Sequence, residues 1–318
     1  MKAAVIGYGV IGKHHVKILS EMGVLSAVCD IDKNAVSGLE GVELYENYIE
    51  MLDKVSPDVV HICTPHYLHA EMVIEALGRN INVLCEKPLC IKEEDIPRIL
   101  EAEKNSKAIL GVCHQNRYNP ANLYVKDYIE DKTVEGGVGQ VSWNRDAKYY
   151  ASGAWRGRWD TEGGGVLINQ ALHTLDLMQW FCGMPDTLSA STSNLTLDGK
   201  IEVEDTAAIC AKGDVGFNFY ASNGSALDMP VEITLKVSGK TVKLMPRYVV
   251  VDGEIKSFPK EKPNGTKTCY GSGHGRLFEH FYRCVREGEH FPIDGAEAAK
   301  VIKIILAVYK SHGKSVKI

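Results

Sequence analysis

The 318-residue chain contains no uninterrupted apolar stretch of membrane-spanning length, no block of basic residues and no C-x-x-C pair. The first absence argues against a spanning helix, which needs about 20 consecutive apolar residues. The second, with a net charge of −5, argues against a nucleic-acid partner. The third removes the usual zinc and dithiol spacings, and no metal is expected. Met1-Lys2 runs straight into apolar residues without a signal-peptide pattern, so a cytoplasmic protein is expected. The nine cysteines are scattered, and Cys29, Cys63, Cys85, Cys182 and Cys210 lie in apolar surroundings that predict reduced core residues.

What is present begins at the first strand. Ala3-Ala4-Val5-Ile6 leads into Gly7-Tyr8-Gly9-Val10-Ile11-Gly12 and then a helical pattern, and a second apolar run, Leu25 to Cys29, ends at Asp30. This is the spacing of a dinucleotide-binding βαβ unit. Gly7 permits the turn, Gly9 lets the backbone approach a pyrophosphate, and Gly12 lets the helix sit close to the strand. Val10 and Ile11 open a helix whose N-terminus favours negative charge. Asp30 is placed to accept hydrogen bonds from ribose hydroxyls and to repel a 2′-phosphate, and Ile31 offers that phosphate nothing. NAD is therefore favoured over NADP, although Lys33 lies near enough in sequence to soften the preference.

The length suits two domains. Strands and helices alternate from Pro57-Asp58-Val59 through Ala108 to Val112, as in a doubly wound parallel sheet, and residues 1–120 are expected to form a Rossmann dinucleotide-binding domain. Residues 121–318 have a different texture: a helix from Pro120 to Tyr128, a long helix from Gly164 to Phe181, and extended runs between Leu188 and Val250 with turn residues at Asn223-Gly224 and Asp252-Gly253. They predict an α/β domain for substrate binding and oligomerisation, with a largely antiparallel open sheet. One face would be covered by helices and the other free for a homodimer or homotetramer contact. His274 to Val285 and Ile293 to Tyr309 read as the closing helices, the latter able to return to the first domain. Lys256 to Thr268 reads as a polar loop.

Ligands of an open parallel sheet bind beyond the carboxyl ends of its strands. Thr64-Pro65-His66 follows one such strand and Glu86-Lys87-Pro88 another. The Lys87 ammonium could steady an alkoxide or donate a proton, or could pair with an acid such as Glu86. Asn169 and His173 are four apart and would share one face of the long helix, with Asp176 near them. An apolar helix presents such a row to a cleft or to a satisfied polar network. Trp155-Arg156-Gly157-Arg158-Trp159-Asp160 has the composition to stack on a sugar face and pair with an anion, or to form a surface loop. Arg117, Tyr118 and Asn119 are further substrate candidates, as is His274, while His14 and His15 read as residues of the first helix or the cofactor edge.

The Gly7 fingerprint, Thr64-Pro65 with His69, Glu86-Lys87-Pro88, Arg117-Tyr118-Asn119-Pro120 and the triple-glycine segment ending in His173 together resemble the glucose-fructose oxidoreductase, inositol dehydrogenase and MocA group of oxidoreductases. Gly288, Asp294-Gly295 and Ser311 fit its closing helices. The resemblance implies NAD(P)-linked oxidation or reduction at a sugar, cyclitol or related hydroxyl. It implies catalysis by Lys87 and His173 with Asn169, and cofactor contacts from Gly7, Gly9, Val10, Ile11, Gly12, Asp30, Thr64, Pro65, His69, Glu86 and Lys87. Arg117, Tyr118, Trp155, Arg156, Asn169 and His173 remain the substrate-binding candidates. Inositol-oxidising relatives carry aspartate where this chain has Asn169, whereas asparagine there is similar to sugar and sugar-nucleotide 3-dehydrogenases. A reductase of a non-sugar carbonyl, a trans-dihydrodiol dehydrogenase and a non-catalytic NAD- and sugar-binding regulator are the competing readings.

Overall fold

A computed structural model describes residues 1–259 and 273–318. The strands of the first sheet are β1 (Ala3–Ile6), β2 (Leu25–Cys29), β3 (Glu43–Tyr45), β4 (Val59–Ile62), β5 (Asn82–Cys85) and β6 (Leu110–Val112). Around them lie helices α1 (Val10–Glu21), α2 (Lys33–Val36), α3 (Tyr48–Val55), α4 (His69–Gly78) and α5 (Asp95–Asn105). The sheet order is β3-β2-β1-β4-β5-β6, all parallel. Every residue of β1 and β4 is buried, as expected of strands covered on both faces. The order reverses between β1 and β4, which is where a crevice opens in sheets of this topology.

The remaining helices are α6 (Pro120–Ile129), α7 (Ala147–Tyr150), α8 (Leu172–Cys182), α9 (Gly273–Glu287) and α10 (Gly295–Ser311). The second sheet consists of β7 (Val134–Ser142), β8 (Thr187–Ser193), β9 (Thr206–Lys212), β10 (Phe217–Ser222), β11 (Glu232–Val237), β12 (Lys240–Met245), β13 (Tyr248–Val251), β14 (Glu254–Ser257) and β15 (Val316–Lys317). It is antiparallel except where β7 and β10 pair in parallel. Asn223-Gly224 therefore does not close a hairpin, because β7 lies between β10 and β11. Asp252-Gly253 does close one, both residues having positive φ, of 46° and 91°. Gly137 and Gly139 on β7 give α8 its seat: a Cβ at either would come within 3.0 Å of Met178.

The chain divides into two compact units: residues 1–115 with 262–299, and residues 116–261 with 300–318. The division is not a single cut near residue 120. Helix α9 belongs with the first unit, where Phe278 packs on His15 and His61, and Phe281 and Phe291 lie close to Gly111. Residues 260–268 of the expected polar loop lie outside the described residues, and Glu254–Ser257 before them is strand.

Two further expectations are corrected. Cys210 is exposed, because β9 alternates and its cysteine falls on the outer face. The helix expected from Gly164 starts only at Leu172. Gly163 and Gly164 have φ of 82° and 147°, which a right-handed helix does not allow, and the segment up to Gln170 is a run of turns. Asn169 and His173 consequently do not share one helical face.

Candidate active site

The glycine loop of the first unit is tightly determined. A Cβ on Gly7, whose φ is 92°, would sit 2.7 Å from the Cys63 carbonyl oxygen, and one on Gly12 would sit 1.9 Å from the Gly7 oxygen. Gly9 has open space around it and is the N-cap residue of α1, with no side-chain cap. The first-turn amides therefore remain available to an anion, with Val10 exposed and Ile11 half-buried beside them. Asp30 accepts hydrogen bonds from the Tyr8 amide at 2.6 Å and the Asp32 amide at 2.9 Å, which couples the loop to the end of β2. A carboxylate has about four acceptor positions, so two hydroxyls can still be accommodated. Lys33 is 3.0 Å from Glu46, and Ile31 is 93% exposed, so the stretch after Asp30 presents no cation committed to a 2′-phosphate. These residues fit the adenosine and pyrophosphate of NAD.

At the ends of β4 and β5 the structure separates two roles. Thr64, Pro65 and Lys87 are partly exposed. His69 and Glu86, expected at the cofactor, turn inward. His69 is fully buried, with Nδ1 2.6 Å from the Pro88 oxygen and Nε2 2.9 Å from the Thr64 oxygen. Burial pushes its pKa down while the two carbonyls oppose this, and a neutral ring donates to one of them at a time. Its place is between the two strand-end turns.

Glu86 ends a buried chain of hydrogen bonds. His15 Nε2 is 3.0 Å from Glu86 Oε1, His15 Nδ1 is 2.9 Å from His61 Nδ1, and His61 Nε2 is 3.0 Å from the Tyr282 hydroxyl. An ionised carboxylate only accepts, and this fixes the direction of the chain. Tyr282 donates to His61, His61 to His15, and His15 to Glu86, with both rings neutral. Burial lowers the pKa of His15 and, further, of His61. Burial alone would raise that of Glu86, but the hydrogen bonds from His15 and His274 outweigh it and hold the carboxyl well below its ordinary range. Glu86 Oε2 also accepts the Lys87 backbone amide at 3.2 Å. His274, a substrate candidate from the sequence, is buried with Nε2 3.4 Å from Glu86, and His14 is buried edge-on to its ring. His15, Glu86 and Cys113 also offer ligand atoms within 4.8 Å of one another. The hydrogen-bond chain accounts for His15 and Glu86 without an ion.

In the second unit Asn169 sits in the turn before α8 and His173 in the first turn of that helix, both partly exposed. The Asn169 amide nitrogen donates to Glu162 Oε1 at 2.5 Å and lies 3.3 Å from the Tyr149 hydroxyl. Tyr149 also accepts from Gln170 Nε2 at 2.9 Å and from Arg156 at 2.8 Å. The Arg156 guanidinium is held over the Trp155 ring at 4.4 Å and the Tyr149 ring at 4.7 Å. Asn169, Arg156 and Trp155 thus come together as the sequence suggested, around Tyr149 and the buried Glu162, which it did not single out. Arg158 and Trp159 are exposed, Arg158 pairing with Asp160 and Glu202. Tyr118 is partly exposed.

Arg117 is a correction. Its Nε is 2.8 Å and its Nη2 2.6 Å from the two oxygens of Asp176, both side chains being almost wholly buried, and Nη2 also reaches Gln179 at 3.2 Å. Its guanidinium lies 5.2 Å from the Trp180 ring centroid. A guanidinium held through Nε and Nη2 by a buried carboxylate joins the segment before α6 to α8.

Two family models match in succession: the oxidoreductase family with NAD-binding Rossmann fold over residues 1–114, and the GFO/IDH/MocA C-terminal domain over residues 124–244. The chain belongs to the Gfo/Idh/MocA family of oxidoreductases. Among its relatives, inositol 2-dehydrogenase of Salmonella typhimurium is 29% identical over 193 residues, covering 57% of this chain and 54% of that protein. Levoglucosan dehydrogenase of Pseudarthrobacter phenanthrenivorans is 30% identical over 152 residues, 45% of this chain and 37% of the relative. The chain spans about half the length, or less, of these two curated relatives. The crystal structure of WlbA dehydrogenase from Bordetella pertussis, in complex with NADH and UDP-GlcNAcA, aligns over 100% of this chain and 98% of its own, with TM-score 0.86 and 26% identity. The Gfo/Idh/MocA pattern accounts for the order of the motifs. The inward roles of His69, Glu86 and Arg117 emerge only from the packing.

Proposed function

We propose that this chain transfers hydride between NAD and a secondary hydroxyl or ketone of a sugar, sugar derivative or cyclitol, sugar nucleotides being the first class to try. The observation that carries the reading is the polar constellation of Tyr149, Arg156, Glu162 and Asn169 on the segments leading into α8, whose first turn carries His173, in a family member whose glycine loop fits a dinucleotide. The full-length likeness to a structure holding NADH and UDP-GlcNAcA supports both the cofactor and the substrate class. Bound nicotinamide supplies the hydride acceptor or donor. His173 takes the hydroxyl proton as the carbinol C–H bond breaks, and the Lys87 ammonium offsets charge developing on the same oxygen. The pairing of Lys87 with His173 rests on the family resemblance. Asn169, neutral and oriented by Glu162 and Tyr149, positions the hydroxyl, and Arg156 with Trp155 receives the polar and planar parts of the substrate.

The outer face of the second sheet supports self-association. Val138 and Tyr220 are 51% and 44% exposed on it and line a hollow with Ala208, Cys210 and Asn218, and Ile255 on β14 is 69% exposed. A homodimer or homotetramer formed through this face is proposed, and a monomeric mass by light scattering at micromolar concentration refutes it.

The test of the activity is nicotinamide absorbance on adding NAD with sugar nucleotides, uronic acids, hexoses and inositols, and NADH with their ketones, for the native chain and Lys87→Met. Turnover with one class, lost in the variant, is expected. NAD binding without turnover across the panel in both directions overturns the catalytic reading in favour of a binding protein.

A further inference from the structure

The loop that presents Asn169 and His173 hangs on a residue outside every motif named above. Glu204, buried just before β9, divides its carboxylate between two amides of the glycine segment: Oε2 accepts from Gly165 at 2.8 Å and Oε1 from Leu167 at 3.0 Å. Its backbone oxygen accepts from Val166 at 3.1 Å, so three consecutive amides of the loop end on one residue. The Tyr309 hydroxyl of α10 donates to Oε1 at 3.0 Å. Steric fit repeats the pattern. A Cβ on Gly165 would lie 1.8 Å from the Glu204 backbone oxygen, and one on Gly164 would lie 2.0 Å from the Tyr309 hydroxyl. Two of the three glycines are therefore spaces into which Glu204 and Tyr309 fit. Tyr309 is itself backed edge-on by Trp159, ring centroids 5.0 Å apart.

We propose that Glu204 and Tyr309 are positioning residues that clamp the glycine loop in the shape presenting Asn169 and His173, and that the clamp tightens when Glu204 ionises. The inference rests on the reading of His173 and Asn169 as active-site groups for its consequence in turnover, but not for its structural half. An ionised carboxylate accepts from all three donors at once, whereas a protonated one gives up acceptor capacity on the oxygen that carries the proton. Burial pushes the Glu204 carboxyl up to about 7, against the pull of the Leu167 and Gly165 amides and Tyr309. The titratable groups around it are Tyr309 on α10, Tyr150 on α7, Glu162 at the base of the loop and the adjoining Asp205. Tyr150 and Tyr309 stay protonated, burial raising both, so of these two tyrosines and Glu204 it is the Glu204 carboxyl whose charge changes near neutrality. The sign follows: the loop is tight above about 7 and looser below.

The experiment is amide hydrogen exchange of the full chain across residues 163–173 from pH 6 to 8, corrected for intrinsic exchange, with kcat and KM measured in parallel. In the native chain protection should rise through neutrality. In Glu204→Gln an amide NH2 replaces one acceptor oxygen, so exchange at Gly165 or Leu167 should be about tenfold faster or more at pH 8, and the dependence on pH should flatten. Tyr309→Phe keeps the ring and removes one donor to the charged form, so the midpoint should move upward. This second variant keeps the test decisive if Glu204→Gln folds poorly. In both variants kcat should fall more than KM rises. His173→Gln should lose turnover while retaining the native exchange profile. Native protection in Glu204→Gln, or an unmoved midpoint in Tyr309→Phe, overturns the clamp. Full activity in His173→Gln overturns the active-site reading and leaves the exchange result to judge the clamp alone.

Discussion

Arg117→Met separates a structural from a substrate role at the position where the two readings differ most. The mutation removes both hydrogen bonds to Asp176, at 2.8 and 2.6 Å, and leaves a carboxylate that is 1% exposed without its bidentate partner. Breaking one side of a buried ion pair costs about 3–5 kcal/mol, because the remaining charge is neither solvated nor paired. Replacing both ends with apolar residues removes that penalty, so Arg117→Met with Asp176→Leu should recover most of the loss. Gln179, which accepts from the same guanidinium at 3.2 Å, keeps the recovery below complete. The assay is urea denaturation of the single variants and the double variant, closed as a thermodynamic cycle, with KM measured on whatever fraction folds. A strongly negative midpoint shift in each single, partial rescue in the double and a KM within about twofold of native are expected. An unchanged midpoint in Arg117→Met together with a tenfold higher KM would refute the argument and return Arg117 to the substrate.

The glycine loop predicts two different failures. Gly12→Ala should lose stability by about 1–3 kcal/mol in a melting experiment, since its Cβ would meet a backbone oxygen at 1.9 Å, whereas Gly9→Ala should melt normally and show only weakened NAD binding by titration. Equal melting temperatures for the two variants would contradict the packing. Acid should destabilise the fold from about pH 6.5 downward. Burial first, then neighbouring histidines, hold His14 down to about 3, and burial lowers His15 and His61, so in this range the unfolded chain binds protons that the native one refuses. Burial raises Glu103 and Glu204 to about 7, so these two act in the opposite sense between 4.5 and 7, their contribution being present at low pH and lost as pH rises. Burial lowers His69 and His280 as well, so five histidines stand against two carboxylates and the net effect is a loss of stability as pH falls through the ordinary histidine range. A urea midpoint that is flat or rises as pH falls from 6.5 to 5 would contradict this.

The sequence by itself determined the dinucleotide half of the molecule. Gly7, Gly9, Gly12 and Asp30 act over a single turn and one strand crossing, and a constraint that local is written at fixed spacing. The strands of the first sheet are legible for a similar reason, since burial on both faces makes each a short apolar run. The second unit was legible in class and not in detail. Alternation marked β9 as a strand, but apolar neighbours on the chain hid the outward direction of Cys210.

Tertiary structure decided which polar residues face inward. Glu86 and His69 carry the same side chains whether they meet a cofactor or each other's loops. Only the convergence of α1, β4, β5 and α9 puts His15, His61 and Tyr282 in series behind Glu86. Arg117 meets Asp176 across 59 residues of chain, and Glu204 and Tyr309 meet the glycine loop across 37 residues or more, distances over which no periodicity carries information. The triple glycine itself was misread as the start of a helix, because a helix and a loop pinned by a remote carboxylate make the same apolar pattern after it. A buried polar group must find its partner wherever the fold brings one, and that requirement is settled in three dimensions.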